Sequence, residues 1–163
     1  MSGLKLRSLK PRPKPQKNRL LFPGSEPIYT YSHKLRSRYG ETDQMGYVYY
    51  GRYLEYFEVA RTEMIRSLGM PYTALEEQGV MLPVVRTEID YKAPIYYDEL
   101  MDIKVHLFSI PTVKLETYYE IFTERSVNPH AVGKVTLCFM KEENRKPCRA
   151  PENFLDSLSQ LQN

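Results

Sequence analysis

One aspartate stands where it could do chemistry. Asp43 opens the short stretch DQMG, and an apolar repeat typical of a long helix begins a few residues later, near Tyr50. The first amides of a helix have no acceptors within the helix, and the helix dipole favours negative charge there. Such amides could stabilise an oxyanion on a carbonyl group while the carboxylate acts as base or nucleophile. This pair could hydrolyse an activated acyl compound, and a thioester especially, because a thiolate leaves with little help from an acid.

The same residues also have structural interpretations. An aspartate close to a glycine is common in turns, and tyrosines are common in cores and interfaces. Glu58 and Arg61 lie one helical turn apart and could simply pair with each other. The residue pattern around Asp43 is therefore a candidate site and not yet an assignment.

Other kinds of active site have little support in this sequence. It contains no G-x-S-x-G, no G-x-x-x-x-G-K, and no G-x-G-x-x-G opening a helix. Its three histidines, His33, His106 and His130, are scattered, and its two cysteines form no C-x-x-C motif. We therefore expect no metal site and a reducing, cytoplasmic setting.

The elements around Asp43 follow from periodicity. Steps of three and four between apolar residues predict a helix from Tyr50 to Leu68, with Tyr50, Leu54, Phe57, Ala60, Met64 and Leu68 on its buried stripe. A strand is predicted from Ile28, a short helix over 71–79, and a last short helix after Pro151. Alternation with a period of two predicts four more strands, in 85–92, 101–107, 113–121 and 135–139. This order is α+β, with a five-stranded antiparallel sheet that one long helix can only partly cover, so we expect a homodimer at least.

The charge of the chain is unevenly distributed. Its net charge is +3, but residues 1–19 carry seven basic residues and no acid, which leaves 16 basic and 20 acidic residues in 20–163. The segment 1–27 is also rich in proline, and we expect it to be an extended, disordered tail before a domain over 28–163. Three roles stay open for this tail: passive extension, contact with nucleic acid or an anionic membrane, or targeting. We expect no nucleic-acid binding by the domain itself.

The stretch RYGETDQMGYVYYGRYLEYFEVARTE, from Arg38 to Glu63, resembles the hotdog-fold acyl-CoA thioesterases of the 4-hydroxybenzoyl-CoA thioesterase-like superfamily. Their pattern runs R-Y-x-D-T-D-x-x-G-x-V-Y, followed by an aromatic helix with E-x-A-R-x-E. The likeness continues through LPVVRTEIDYKAPIYYDEL and RKPCRAP, so it covers about residues 30–152. The resemblance implies a five-stranded antiparallel sheet wrapped around the long helix, and dimers, often paired into tetramers, with active sites at the dimer interface.

The resemblance also implies roles for individual residues. Asp43 would be the catalytic carboxylate, and the amides around Tyr50 and Gly51 would polarise the thioester carbonyl. Many relatives have histidine in place of Tyr50, so a histidine-assisted mechanism is not expected. We assign substrate binding to Gly46, Tyr47, Tyr53 and Glu58, and contacts with the CoA phosphates to Lys114, Arg145, Lys146 and Arg149.

The resulting hypothesis is an acyl-CoA thioesterase without a metal or separate cofactor, since CoA is part of the substrate. An acyl carrier protein could deliver the acyl group instead. Two alternatives remain open: a non-catalytic hotdog protein that binds acyl thioesters, and a hotdog dehydratase. The dehydratase is weakened because that chemistry usually requires a histidine, and none lies near Asp43 or the helix start.

Overall fold

A computed structural model describes residues 22–162 of the chain. The strands are β1 (Tyr29–Arg36), β2 (Val80–Met81), β3 (Val84–Tyr91), β4 (Leu100–Leu107), β5 (Lys114–Thr123), β6 (Ala131–Cys138) and β7 (Met140–Lys141). The α-helices are α1 (Arg52–Ser67), α2 (Tyr72–Glu77) and α3 (Glu152–Ser159), and short 3₁₀ turns cover Tyr39–Glu41 and Gln160–Gln162. No helix among residues 22–162 is both long and apolar enough to cross a membrane.

Five strands form one antiparallel sheet in the order β1-β4-β5-β6-β3. The chain leaves β1, passes through α1 and α2, and returns as β3 at the opposite edge of the sheet. The inward side chains of β4 are fully buried: Met101, Ile103, Val105 and Leu107. The alternation seen in the sequence therefore predicts the buried face of this interior strand correctly.

Helix α1 packs across the inner face of the sheet. The ring of Phe57 stacks on Tyr119 of β5 with 4.2 Å between centroids. Beside it, β6 carries Gly133, where an added Cβ would stand 2.4 Å from the Phe57 ring. The glycine thus lets a large aromatic side chain of the helix lie directly on the strand. The predicted fold, one long helix wrapped by a five-stranded antiparallel sheet, is confirmed.

Two details of the predicted burial are wrong. Tyr50 and Leu54 were placed on the buried stripe of the helix, yet they are 62% and 44% exposed. The helix begins only at Arg52, and its buried face is turned towards Tyr53 and Tyr56, which are 3% and 1% exposed.

The second difference concerns β3. Val85 and Tyr91, expected on a buried face, are about half exposed, because β3 is an edge strand with a single neighbour. The outer edge of β3 is unpaired in the protomer, so both side chains stay partly in contact with solvent.

One residue before β1, Phe22, lies against the outer face of the sheet. The ring of Phe22 makes edge contacts with Tyr118, His106 and Phe108, at centroid distances of 5.5, 5.8 and 6.0 Å. Residues 1–21, which hold the basic residues of the predicted tail, lie outside the described residues. The boundary at residue 28 and the disorder of the tail stay predictions.

Candidate active site

Asp43 lies in a tight hairpin loop. Thr42 and Val48 form an antiparallel bridge, and the Asp43 amide donates to the Tyr47 carbonyl at 3.0 Å. Gly46 has φ +82, a conformation that glycine adopts without strain. The carboxylate of Asp43 accepts a hydrogen bond of 2.8 Å from the Met45 amide. The loop therefore holds the carboxylate by one backbone donor, in the manner of an Asx turn.

A second carboxylate, two residues earlier, anchors this loop. Glu41 is 5% exposed and accepts four hydrogen bonds of 2.6–2.8 Å, from the Arg38 amide, its guanidinium (two bonds) and the Tyr56 hydroxyl. The Glu41 carbonyl also accepts from the Tyr49 amide at 2.9 Å. Burial alone would raise the pKa of Glu41, but the donors of Tyr56 and Arg38 outweigh it and lower the pKa below its ordinary value. Glu41 is thus a carboxylate held by hydrogen bonds, and it fixes the position of the loop.

The start of α1 lies next to the loop. Gly51 is the N-cap residue, and within the described residues no side chain caps the first turn. A Cβ at Gly51 would stand 2.7 Å from the Tyr49 ring, so a larger residue here would displace that exposed ring. The Tyr91 hydroxyl donates to the Tyr50 carbonyl at 2.9 Å and ties the helix start to the end of β3. The Arg52 amide donates to the Tyr49 carbonyl at 3.0 Å, whereas the amides of Tyr50 and Gly51 have no backbone acceptor among the described residues and could donate to a ligand.

These parts surround a cavity of about 380 Å³. Its lining comes from the loop (Asp43, Met45, Tyr47, Val48), the helix start (Tyr50, Tyr53) and the end of β3 (Tyr91, Lys92, Ala93, Pro94). One carboxylate therefore faces a space bounded largely by aromatic rings, which is the usual composition of a site for a partly apolar ligand.

His130 holds the strand side of the cavity in place. Its carbonyl accepts from the amides of Lys92 and Ala93, at 2.8 and 3.0 Å. Its ring Nδ1 donates to the Pro94 carbonyl at 3.0 Å, which leaves Nε2 to accept from the Thr123 hydroxyl at 2.9 Å. The ring is buried and has a partner on each nitrogen. His130 is a positioning residue for this wall.

The structure brings together four of the residues chosen from the sequence: Asp43, Tyr47, Tyr50 and Tyr53 all line the cavity. Gly46 and Gly51 shape the backbone beside it. Glu58 is an exposed residue of α1 and does not line the cavity.

The alternative pairing of Glu58 with Arg61 is wrong. The Arg61 side chain is buried, and its Nε donates to the Tyr72 hydroxyl at 2.9 Å while Nη1 lies 3.5 Å from the Tyr119 hydroxyl. The guanidinium therefore turns towards the core, away from Glu58, which stays exposed.

The basic residues chosen from the sequence lie elsewhere in the protomer. Lys114 pairs with Cys138 at the end of β6, and Arg149 lines a cleft of about 620 Å³ formed with the loop after β7. Lys146 and Arg145, the latter at φ +57, are exposed in that loop. This end lies beside Val84, whereas the cavity lies beside Tyr91, the other end of β3. Seven steps along a strand separate the two ends by about 23 Å.

Sequence reasoning missed the contribution of the β3 end. Tyr91 and Pro94 belong to DYKAP, where strand alternation stops at a proline. That breaker predicts a bend, and a bend at the end of a strand is a common place for a site residue. Among residues 22–162 no three His, Cys, Asp or Glu side chains come close enough together to hold a metal ion.

The chain is similar in sequence to known proteins. Residues 37–158 match the model of a family described as the thioesterase-like superfamily. A protein of Bacillus subtilis named "Putative acyl-CoA thioesterase YneP" is 48% identical over 79% of this chain and 93% of its own length. The "Acyl-CoA thioester hydrolase YbgC" of Escherichia coli is 33% identical over 77% of this chain and 93% of its own length.

A solved structure is similar as well. The DHNA-CoA thioesterase from Staphylococcus aureus has 32% identity and a TM-score of 0.75, over 82% of this chain and 91% of that protein. The class of enzyme predicted from the Asp43 motif, a thioester hydrolase with the hotdog fold, is thereby confirmed at the level of the family. The chain belongs to the thioesterase-like superfamily.

Proposed function

We propose that this protein is an acyl-CoA thioesterase that converts water and an acyl thioester into a carboxylic acid and free CoA. One observation carries the proposal: Asp43 and Tyr50, at the start of α1, line the same cavity. The names of the relatives at 48% and 33% identity support the substrate class. Cytoplasmic activity fits the two cysteines, which are both free thiols.

In the proposed mechanism the carbonyl oxygen of the thioester lies at the start of α1. The amides of Tyr50 and Gly51 donate to it and stabilise the oxyanion that forms on attack. Asp43 accepts one hydrogen bond, from the Met45 amide, and its carboxylate has further lone pairs that can accept from water or bond to a carbonyl carbon. Acting as base, it takes a proton from water as the water oxygen bonds to the carbonyl carbon; acting as nucleophile, it forms that bond itself. The C–S bond then breaks, and on the base route the thiolate takes up the proton that Asp43 removed from water. On the nucleophilic route the acyl group stays on Asp43 as a mixed anhydride; water cleaves this anhydride to the carboxylic acid and the free carboxylate, and the proton released goes to the thiolate.

The acyl group would occupy the aromatic part of the cavity. Tyr53 and Tyr91 meet edge to face with 5.0 Å between centroids, and Pro94 lies beside them. A flat or compact apolar group packs well against such rings. The thioester carbon would then stand between this pocket and Asp43.

The basic residues reach the substrate, in our proposal, through a homodimer. β3 is an edge strand, and its Val84 and Val85 are 50% and 53% exposed. Antiparallel pairing of β3 with the same strand of a second copy covers both valines and joins the two sheets. It also places the Val84 end of one subunit against the Tyr91 end of the other. Lys114, Arg145, Lys146 and Arg149 of the partner subunit are then the candidates for the CoA phosphates.

Subunit mixing tests this shared site. An Asp43→Asn protein is mixed, after reversible dissociation, with a protein carrying Arg145→Ala, Lys146→Ala and Arg149→Ala. If the basic residues act across the interface, each mixed dimer holds one intact site, and random mixing restores about a quarter of wild-type activity. Activity that stays at the sum of the two variants contradicts the shared site.

The proposed function itself is tested by thiol release from a panel of acyl-CoAs. The panel covers short, long and aromatic acyl groups, with one acyl carrier protein thioester as a comparison. We expect turnover of at least one acyl-CoA, with thiol and acid formed in equal amounts. Tight acyl-CoA binding without thiol release from any member would overturn the proposal in favour of a non-catalytic binding protein.

A further inference from the structure

One buried tyrosine of the cavity has a hydroxyl without an acceptor among the described residues. The hydroxyl of Tyr91 donates to the Tyr50 carbonyl, and that of Tyr56 donates to Glu41. The Tyr47 hydroxyl contacts the sulfur of Met45 at 3.1 Å. The Tyr53 hydroxyl has no hydrogen bond to a side chain or carbonyl among the described residues, although its side chain is 3% exposed and lines the cavity.

This tyrosine lines the cavity. Its hydroxyl oxygen lies near the Ile95 amide, and its hydrogen has no acceptor among the described residues. Burial raises the pKa of Tyr53 to about 12, an effect that Tyr91 adds to and the nearby Ile95 amide opposes. The hydroxyl is therefore protonated at neutral pH, and its hydrogen is available to an acceptor.

We propose that the Tyr53 hydroxyl donates a hydrogen bond to an oxygen carried by the acyl group, so that the cavity selects oxygen-bearing acyl groups over hydrocarbon ones of equal size. This inference rests on the proposed function, because it assigns the acyl group to the same cavity. It adds a specificity-determining residue: Tyr53 chooses between substrates, whereas Asp43 acts on the thioester.

The selectivity follows from desolvation. In the free protein, solvent in the cavity can satisfy the hydroxyl. A hydrocarbon acyl group displaces that solvent and offers no acceptor, so a buried donor is left unpaired. A hydroxyl or oxo group on the substrate restores the bond. Sites built around such a donor discriminate far more strongly than apolar pockets do.

The test compares substrates that differ only in this group. The ortho, meta and para isomers of hydroxybenzoyl-CoA are each paired with the methylbenzoyl-CoA of the same shape. The wild-type protein should prefer at least one hydroxy isomer by about tenfold or more in kcat/KM. Tyr53→Phe keeps the ring and removes the donor. It should lower kcat/KM for that isomer and raise it for the methyl partner, so that the preference is lost.

A matched control is Tyr91→Phe, which removes a hydroxyl from the same cavity that already has a protein acceptor. It should leave the hydroxy-to-methyl ratio as in the wild type. The proposal is overturned if the wild-type protein prefers no hydroxy isomer or if Tyr53→Phe keeps the preference. It is also overturned if Tyr53→Phe lowers kcat/KM for both substrates by the same factor.

Binding separates this inference from the proposed function. The ratio of Kd values for the two substrates is measured in Asp43→Asn and in Asp43→Asn with Tyr53→Phe. If the wild-type protein hydrolyses no acyl-CoA, the thioesterase proposal is wrong. The ratio of Kd values for the hydroxy and methyl substrates still decides the role of Tyr53 in that case. A preference present in the first variant and absent in the second supports it; equal ratios in both count against it.

Discussion

Glu41 and Asp43 lie two residues apart on one loop and have opposite environments. Glu41 is buried, and four donors from Arg38 and Tyr56 surround its oxygens. Asp43 is half-buried, accepts one backbone hydrogen bond, and faces the cavity. A carboxylate whose lone pairs are all bound holds a structure together, whereas one with free lone pairs next to a helix start can act on a ligand.

The largest effect on activity should come from neutralising Asp43, and this effect should have little counterpart in stability. Asp43→Asn keeps an oxygen for the Met45 amide and therefore keeps the Asx turn. It removes the base or nucleophile, so we expect kcat to fall about a thousandfold. Thermal unfolding should show little change in stability. Steady-state thiol release and unfolding are measured on the same preparation, and a large loss of stability would mean that Asp43 is also structural.

Glu41→Gln should give the converse result. It leaves the donors of Arg38 and Tyr56 facing a neutral amide in a buried place, and we expect a loss of about 2 kcal/mol in the free energy of unfolding. Urea unfolding provides the measurement. The control is Glu55→Gln, because the Glu55–Arg52 pair is exposed and contributes about 0.5 kcal/mol or less.

The Glu41 effect should depend on pH with a defined sign. Its pKa is lowered on folding from an ordinary value of about 4.5, so its contribution is present above that pH. As pH falls through the lower folded-state pKa, the contribution is lost. The stability difference between wild type and Glu41→Gln should therefore shrink on acidification below the ordinary carboxyl range. A difference that grows there would contradict the assigned direction.

A smaller effect is expected for Tyr56→Phe. It removes one of the four donors to Glu41 and keeps the ring in the core, so the loss should be about 1 kcal/mol. In a double-mutant cycle with Glu41→Gln, the two losses should not add, because both act on the same bond. Additive losses would show that the Tyr56 hydroxyl acts on something other than Glu41.

The sequence predicted the fold and the Asp43 loop because both depend on local signals. Strand alternation follows from burial on one face, as in Met101 to Leu107, and the motif around Asp43 is contiguous. The separate role of Glu41 was not predicted, since its donor Tyr56 lies fifteen residues away and is brought close only by the fold.

Other parts depend on contacts that a sequence pattern does not contain. Tyr91 joins the cavity because β3 pairs with β6, and the pocket wall is fixed by His130, far along the chain. The exposure of Val85 follows from the edge position of β3, which periodicity alone cannot distinguish from a central strand.

The most direct test of the central claim, that Asp43 acts on the thioester, is a single turnover with Asp43→Asn in excess over acyl-CoA. This measurement separates bond cleavage from product release. Our account predicts that the bound thioester stays intact on the time scale in which the wild-type protein cleaves it, while binding is kept. Release of thiol by Asp43→Asn at the wild-type single-turnover rate would contradict the account.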